Sequence, residues 1–197
     1  MRETELKAVV PDEEDCLSRL LAAGATQLSE GRLEDRRYDY PDRRLTMSDV
    51  VLRLRVKRNG ASATATLDLK GAASFEEGYK HREETSVPIG NAGQMAGILT
   101  ALGYVVTRAI DRDVRMLQLG GATLRFERFA RMDTLLEVEG PEEAIEAAIA
   151  ASGLPRESFR PDRLYMFVQR FEARTGLRAA ICDEESSGDY RFPLEDA

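Results

Sequence analysis

Charged residues occupy every second position in several short stretches of this chain, and that spacing is where its chemistry is concentrated. Glu3, Glu5 and Lys7 alternate with Thr4 and Leu6. On a strand this turns all three charges to one face. The grammar recurs in Arg53-Leu54-Arg55, Asp68-Leu69-Lys70, Arg82-Glu83-Glu84, Arg125-Phe126-Glu127 and Glu137-Val138-Glu139. A half-buried strand ordinarily turns apolar side chains toward the rest of the protein, so charged faces on several strands call for a shared interior. Lys7, Arg53, Arg55, Lys70, Arg82, Arg112 and Arg125 form its cationic set, and Glu3, Glu5, Glu127, Glu137 and Glu139 its acidic set. Buried ions left alone are costly, and two schemes neutralise these. Either the groups pair with one another in a structural ion network, or guanidinium and ammonium groups hold phosphate oxygens while the carboxylates hold a hard divalent cation, Mg²⁺ or Mn²⁺.

The elements that must position these residues read mostly as strands. After the first strand, Pro11 and the acids Asp12 to Asp15 open a helix over Leu17, Leu20 and Leu21 that Gly24 ends. A long strand over Thr26 to Tyr40 stops at Pro41-Asp42, and a flexible basic loop follows. Asp49 to Lys57 and Ser62 to Lys70 form a hairpin about Asn59-Gly60. Gly71 to Gly78 reads as a loop and His81 to Val87 as a strand. Asn91 caps a second helix that Gly103 stops. Tyr104 to Leu117, Ala122 to Phe129 and Thr134 to Glu139 then read as three strands joined by tight turns. Helices follow from Gly140-Pro141 and from Pro161-Asp162. About eight hairpin-connected strands with helices between them predict an α+β fold: a closed eight-stranded antiparallel β-barrel, or tunnel, with a charged interior and helices packed outside.

Composition bounds this reading. A chain of 197 residues with 43% apolar residues can bury one substantial domain, assigned to residues 1–175, with a polar, partly disordered tail over 176–197. The formal charge of −7 argues against tracking a nucleic-acid backbone. Cys16 and Cys182 match no metal or redox spacing and read as free thiols in a reducing compartment. No apolar run reaches the length of a membrane span and no basic-then-apolar leader opens the chain, so a cytoplasmic protein is expected, as monomer or homodimer.

Taken together, the ordered motifs resemble the CYTH superfamily, the triphosphate tunnel metalloenzymes, which include class IV adenylyl cyclases and thiamine triphosphatases. Glu3-x-Glu5-x-Lys7 looks like its N-terminal signature, Arg53-x-Arg55 its paired strand arginines, and Lys70-Gly71 its following lysine. Arg82-x-Glu84 resembles its next charged strand, Glu127 stands where an aspartate is frequent, and Glu137-x-Glu139 resembles its closing metal-binding pair. The stretch Arg163 to Phe171 is similar to a thiamine-triphosphatase-like final helix, with Arg163 in place of a lysine. One departure is Ile110-Asp111-Arg112, which lacks the first cation of a frequent Lys-x-Arg pair.

The resemblance implies a metal-dependent phosphohydrolase acting on a small-molecule triphosphate: inorganic tripolyphosphate, thiamine triphosphate or a nucleoside triphosphate. Conversion of ATP to cyclic AMP and pyrophosphate is the alternative, and non-catalytic binding of a polyphosphate or nucleotide the second alternative. It further implies that Lys7, Arg53, Arg55, Lys70, Arg82, Arg112, Arg125 and Arg163 hold phosphates, that Glu3, Glu5, Glu127, Glu137 and Glu139 hold Mg²⁺ or Mn²⁺, and that Lys7 and Glu5 act at the reacting centre. By strand parity His81 faces away from the tunnel. Tyr38, Tyr40 and Tyr165 are candidates for packing or for stacking on a ring at the mouth. Arg108, Arg128 and Arg131 read as solvated, and so does the acidic run Asp183 to Glu185.

Overall fold

A computed structural model describes residues 2–194. The first strand, β1 (Arg2–Val9), leads to helix α1 (Glu13–Ala22), where the Asp12 carboxylate accepts from the Asp15 N–H at 3.0 Å and satisfies a first-turn donor. Strand β2 (Thr26–Asp39) is followed by a single turn of helix, α2 (Arg44–Met47), inside the stretch expected to be irregular. Asp39 builds that turn: its carboxylate accepts from the backbone N–H of Leu45 and Thr46 and from the Thr46 hydroxyl. Strands β3 (Val51–Asn59) and β4 (Ser62–Lys70) meet at a two-residue turn in which Gly60 adopts φ 57°.

The loop expected from Gly71 to Gly78 contains a three-residue strand, β5 (Ser74–Glu76). It pairs with the start of β6 (Tyr79–Ile89) across a tight turn with positive φ at Glu77 and Gly78. Three exposed residues show no hydrophobic alternation, and so nothing marks such a strand in the chain. Helix α3 (Ala92–Ala101), capped by Asn91, precedes β7 (Val105–Leu119), β8 (Ala122–Arg128) and β9 (Leu135–Glu139). Helices α4 (Glu142–Ser152), α5 (Leu164–Thr175) and the short α6 (Asp183–Ser186) complete the described chain.

All strand pairings are antiparallel. The order β1-β9-β8-β7-β2-β3-β4-β6 is sealed by β6 pairing back onto β1, with β5 as an extra strand on β6, so eight strands form a closed barrel. One close approach depends on glycine: a Cβ on Gly31 would stand 2.1 Å from the Arg58 carbonyl oxygen across β2 and β3. The apolar faces point outward. Leu6, Leu117, Leu124, Phe126, Leu136 and Val138 meet Cys16 and Leu20 of α1 and Ile145 and Ile149 of α4. Leu54 and Tyr38 meet Leu99 of α3. Burial of these faces by helices, and not a filled lumen, supplies the hydrophobic stabilisation.

The stretch after Gly176 differs from the solvated tail expected for it. Ala179, Ala180, Ile181 and Cys182 are buried, with Ile181 packed on Ile110, Val168 and Phe171. Beyond the end of β8, the Asp111 N–H of β7 donates to the Ile181 carbonyl at 2.8 Å, and Arg131 bridges Ala180. Unpaired strand edge is thereby satisfied. Arg108, expected in solvent, is 1% exposed: it pairs with Glu185 at 2.7 Å and donates to the Phe192 carbonyl at 3.2 Å. A buried guanidinium needs such a counter-ion, and the tail supplies it.

Candidate active site

Alternation along each strand determines what the barrel encloses. Glu5 and Lys7 lie opposite Glu139 and Glu137 in the β1–β9 register, and Arg125 lies opposite Glu137 between β8 and β9. Arg55 faces Asp35 across β2 and β3, and Arg53 faces Asp68 across β3 and β4. The enclosed cavity, about 140 Å³, is lined by Glu5, Lys7, Arg53, Arg55, Lys70, Arg82, Arg112, Arg125, Glu127, Glu137 and Arg163. Glu3 and Glu139, the remaining members of the predicted set, are not among the residues lining that cavity. Glu3 accepts from Lys70 at 2.6 Å, and Glu139 makes no ion pair among the described residues.

The side chains form one continuous ion network. Lys7 Nζ donates to Glu5 Oε1 at 3.0 Å and lies 2.5 Å from Glu137 Oε2. Lys80 also contacts Glu5, and Arg125 contacts Glu137. Glu127 joins Arg112 at 2.7 Å to Arg125 at 3.1 Å. Asp35 takes both arms of Arg55 at 2.7 Å, accepts from Arg112 at 3.0 Å and lies 3.8 Å from Arg53. Arg53 donates to Asp68 and reaches Glu84, which Lys70 also holds at 2.8 Å. At the mouth, Arg82 and Arg163 meet on Asp49.

These neighbours set the protonation states. Burial disfavours the Glu5 carboxylate, but Lys7, Lys80 and Lys70 outweigh it and hold Glu5 well below the usual carboxylate range. Burial likewise acts against Asp35, and Arg55, Arg112 and Arg53 keep it ionised. Glu127 is brought down to about 2 because Arg112 and Arg125 outweigh its burial. Lys7 is buried yet raised, through Glu137 and Glu5, and stays an ammonium. Glu139 behaves oppositely: burial, then the charges of Glu3 and Glu137, push it up to about 7. Burial beside Arg53 lowers the Arg37 guanidinium to about 9.

Asp35, Arg37, Lys80 and Asp49 line the cavity without having been singled out from the chain, and Asp68 binds one of its arginines. Two-residue parity from Arg53 and Arg55 across the β2 strand would have found Asp35, and parity from Arg82 would have found Lys80, had the strand been started at Tyr79. Nothing local marks Asp49. His81 faces outward, hydrogen-bonded to Thr4 Oγ1 at 2.8 Å and near the Tyr79 ring. Tyr40 stacks on Tyr104, with ring centroids 4.3 Å apart and hydroxyls 3.0 Å apart, and Tyr165 packs with the α5 cluster. Among the described residues, the one group of three or more whose possible metal-ligating atoms all lie within 4.8 Å of one another is Asp111, Cys182 and Glu184, and the predicted acids Glu3, Glu5, Glu127, Glu137 and Glu139 are not drawn together that closely. Arg36 already clamps Asp111, at 2.6 and 3.3 Å, and burial pushes the Cys182 thiol up to about 12.

The family described as CYTH domain matches residues 1–158. No curated protein sequence matches the chain significantly. Among solved structures, the PH1819 protein of Pyrococcus horikoshii is 21% identical with a TM-score of 0.69, over 85% of this chain and 98% of that one. A candidate adenylate cyclase from Vibrio parahaemolyticus is 18% identical with a TM-score of 0.71, over 85% and 97%. A candidate adenylyl cyclase from Hippeastrum, described as having a dominant triphosphatase activity, is 17% identical with a TM-score of 0.62, over 88% and 96%. At these identities the likenesses establish the fold alone.

Proposed function

The chain belongs to the CYTH domain family, and on that premise we propose that it is a divalent-metal-dependent triphosphatase acting on a triphosphate held in the barrel. One observation carries this: the closed barrel gathers guanidinium and ammonium groups of at least six strands around one cavity, with an acidic cluster at its β1–β9 side. Lys7, Arg53, Arg55, Lys70, Arg82, Arg112 and Arg125 hold phosphoryl oxygens, and Arg163 adds a charge at the mouth. In this structure Asp35, Asp68, Glu127 and Glu137 neutralise those cations. A phosphate chain takes over that role when it enters, because planar guanidinium forks fit phosphoryl oxygens as well as they fit carboxylates.

The acidic cluster fits a hard cation. Glu5 and Glu139 are direct cross-strand neighbours, and Glu139 resists ionisation because it is buried and because Glu3 and Glu137 repel it. All-oxygen donors of this kind suit Mg²⁺ or Mn²⁺, held by Glu3, Glu5 and Glu139 with Glu127 and Glu137 alongside. When bound, such a cation draws charge from the phosphoryl oxygens at the breaking bond. Lys7, kept protonated by Glu137 and Glu5, donates to phosphoryl oxygen and does not serve as a base. Glu5, kept ionised, accepts the hydrogen bond that orients the attacking water.

Tyr40 packs on Tyr104, Tyr165 packs in the α5 cluster, and Tyr38, the tyrosine that lines the cavity, packs with Leu54 and Leu99, so the protein itself takes up the rings proposed for stacking. That favours hydrolysis over cyclisation, which needs a platform for a base. The test is a panel of tripolyphosphate, thiamine triphosphate and ATP with Mg²⁺ or Mn²⁺. Orthophosphate release supports the triphosphatase. Cyclic nucleotide with pyrophosphate identifies a cyclase instead, and binding without turnover identifies a sensor.

A further inference from the structure

Residues 43–50 cover part of the cavity, where Thr46, Asp49 and Val50 line it beside Arg163 and Leu164. Two non-glycine residues in this stretch, Arg43 with φ 62° and Asp49 with φ 53°, occupy the left-handed region. Such backbone persists where surrounding contacts over-determine it. For Asp49 those contacts converge on the carboxylate. Its Oδ1 accepts from Arg82 Nη2 at 2.5 Å, its Oδ2 accepts from the Ala73 N–H at 2.8 Å, and Arg163 Nη2 forms an ion pair with Oδ2 at 2.9 Å. Arg82 Nη2 also donates to the Asp49 carbonyl at 3.0 Å. The donors come from β6, from the residue preceding α5 and from the link after β4. Two guanidinium groups and a backbone N–H around one anion make the donor set of a phosphate site.

We propose that Arg82, Arg163 and the Ala73 N–H form a phosphoryl subsite at the tunnel mouth, that Asp49 fills it as a built-in competitor, and that ligand binds by displacing residues 43–50. The proposal rests on the reading of the barrel as a triphosphate site and adds a residue that determines which anions gain access. A carboxylate brings one charge and two oxygens to the cradle. A terminal phosphoryl group brings up to two charges and three oxygens, and so displaces Asp49 where a carboxylate or a singly charged ester does not. The single turn α2 stays anchored through Asp39 as the Asp49 end releases.

The experiment is calorimetric titration of metal-free wild type, Asp49→Asn and Asp49→Gly with inorganic tripolyphosphate, together with amide exchange on wild type. Both replacements tolerate a positive φ, so failure of one to fold leaves the other, and circular dichroism checks each. Removing the competitor should tighten binding by about tenfold, since affinity is no longer reduced by the fraction of molecules closed on Asp49. Saturating tripolyphosphate should accelerate exchange in residues 44–50 of wild type. Equal or weaker binding by the folded variants, or unchanged exchange on saturation, overturns the competitor while leaving the barrel as a phosphate site. No binding by wild type or variants overturns both.

Discussion

Glu139→Gln should stabilise the metal-free protein, and only above a definite pH. In the folded chain Glu139 is pushed from the ordinary 4.5 to about 7 by burial and by Glu3 and Glu137. An unfolded chain ionises this carboxyl near its ordinary value. The native state therefore bears no penalty below about pH 4.5, a growing one as pH rises toward 7, and a constant one above. The displacement corresponds to about 3 kcal/mol as a ceiling, and solvent reaching the barrel end reduces it to about 1–2 kcal/mol. Glutamine keeps the shape, and Glu139 has no ion pair to lose among the described residues. For a chain of this size the gain is about 2–8 °C in Tm at pH 8. The assay is thermal unfolding of wild type and variant in a chelator, from pH 4 to pH 8. The curves should meet near pH 4.5, separate as pH rises to about 7, and keep a constant gap above it. Adding Mg²⁺ or Mn²⁺ at pH 8 should stabilise wild type more than the variant. An equal or lower Tm for the variant at pH 8 would refute the electrostatic reading of the acidic cluster.

Other expectations follow from the same network. Glu5→Gln should reduce metal-dependent turnover by at least about a hundredfold with the fold retained by circular dichroism, and full activity would remove Glu5 from the reacting centre. Arg53→Ala should raise KM more than it lowers kcat, because its contact with phosphate is made in ground and transition states alike; steady-state kinetics decide. Glu127, brought down to about 2 by Arg112 and Arg125, contributes stability that is complete above about pH 4.5 and lost as pH falls toward 2. Acid titration of Glu127→Gln should therefore lack that loss. Glu185→Gln leaves the buried Arg108 without its counter-ion and should destabilise the chain by about 3 kcal/mol or more in denaturant unfolding, while Asp183→Asn, at an exposed site, should change it little.

Much of the barrel could be read from the chain because a two-residue repeat is a local property. Glu5 and Lys7, Arg53 and Arg55, and Glu137 and Glu139 announce their shared face without reference to any partner. What parity does not announce is pairing. Asp35 sits in a stretch with charges at consecutive positions from Glu34 to Arg37, so its face is ambiguous until β3 lies beside it. Lys80 lies within β6, which begins at Tyr79, two residues before the His81 start that the sequence predicts. The burial of Ala179 to Cys182 depends on a strand edge left open where β8 ends, a feature of the assembled sheet with no trace in four consecutive residues. Arg108 is then inverted from solvent to interior by Glu185, a partner 77 positions away. Asp49 follows the same logic, since only the folded chain brings Arg82, Arg163 and Ala73 to it.

Sealing the ring through β1 also determines when it can exist. The first strand needs β6 on one side and β9 on the other, so Glu5 and Lys7 are synthesised some 130 residues before Glu137 and Glu139 reach them. A nascent chain must carry those charges in water, along with the outward apolar faces of β1, until its last strand leaves the ribosome. Such distant pairing makes formation slow and gives the apolar faces time to find wrong partners. Truncations ending before residue 135 should therefore yield aggregates, and not a smaller tunnel.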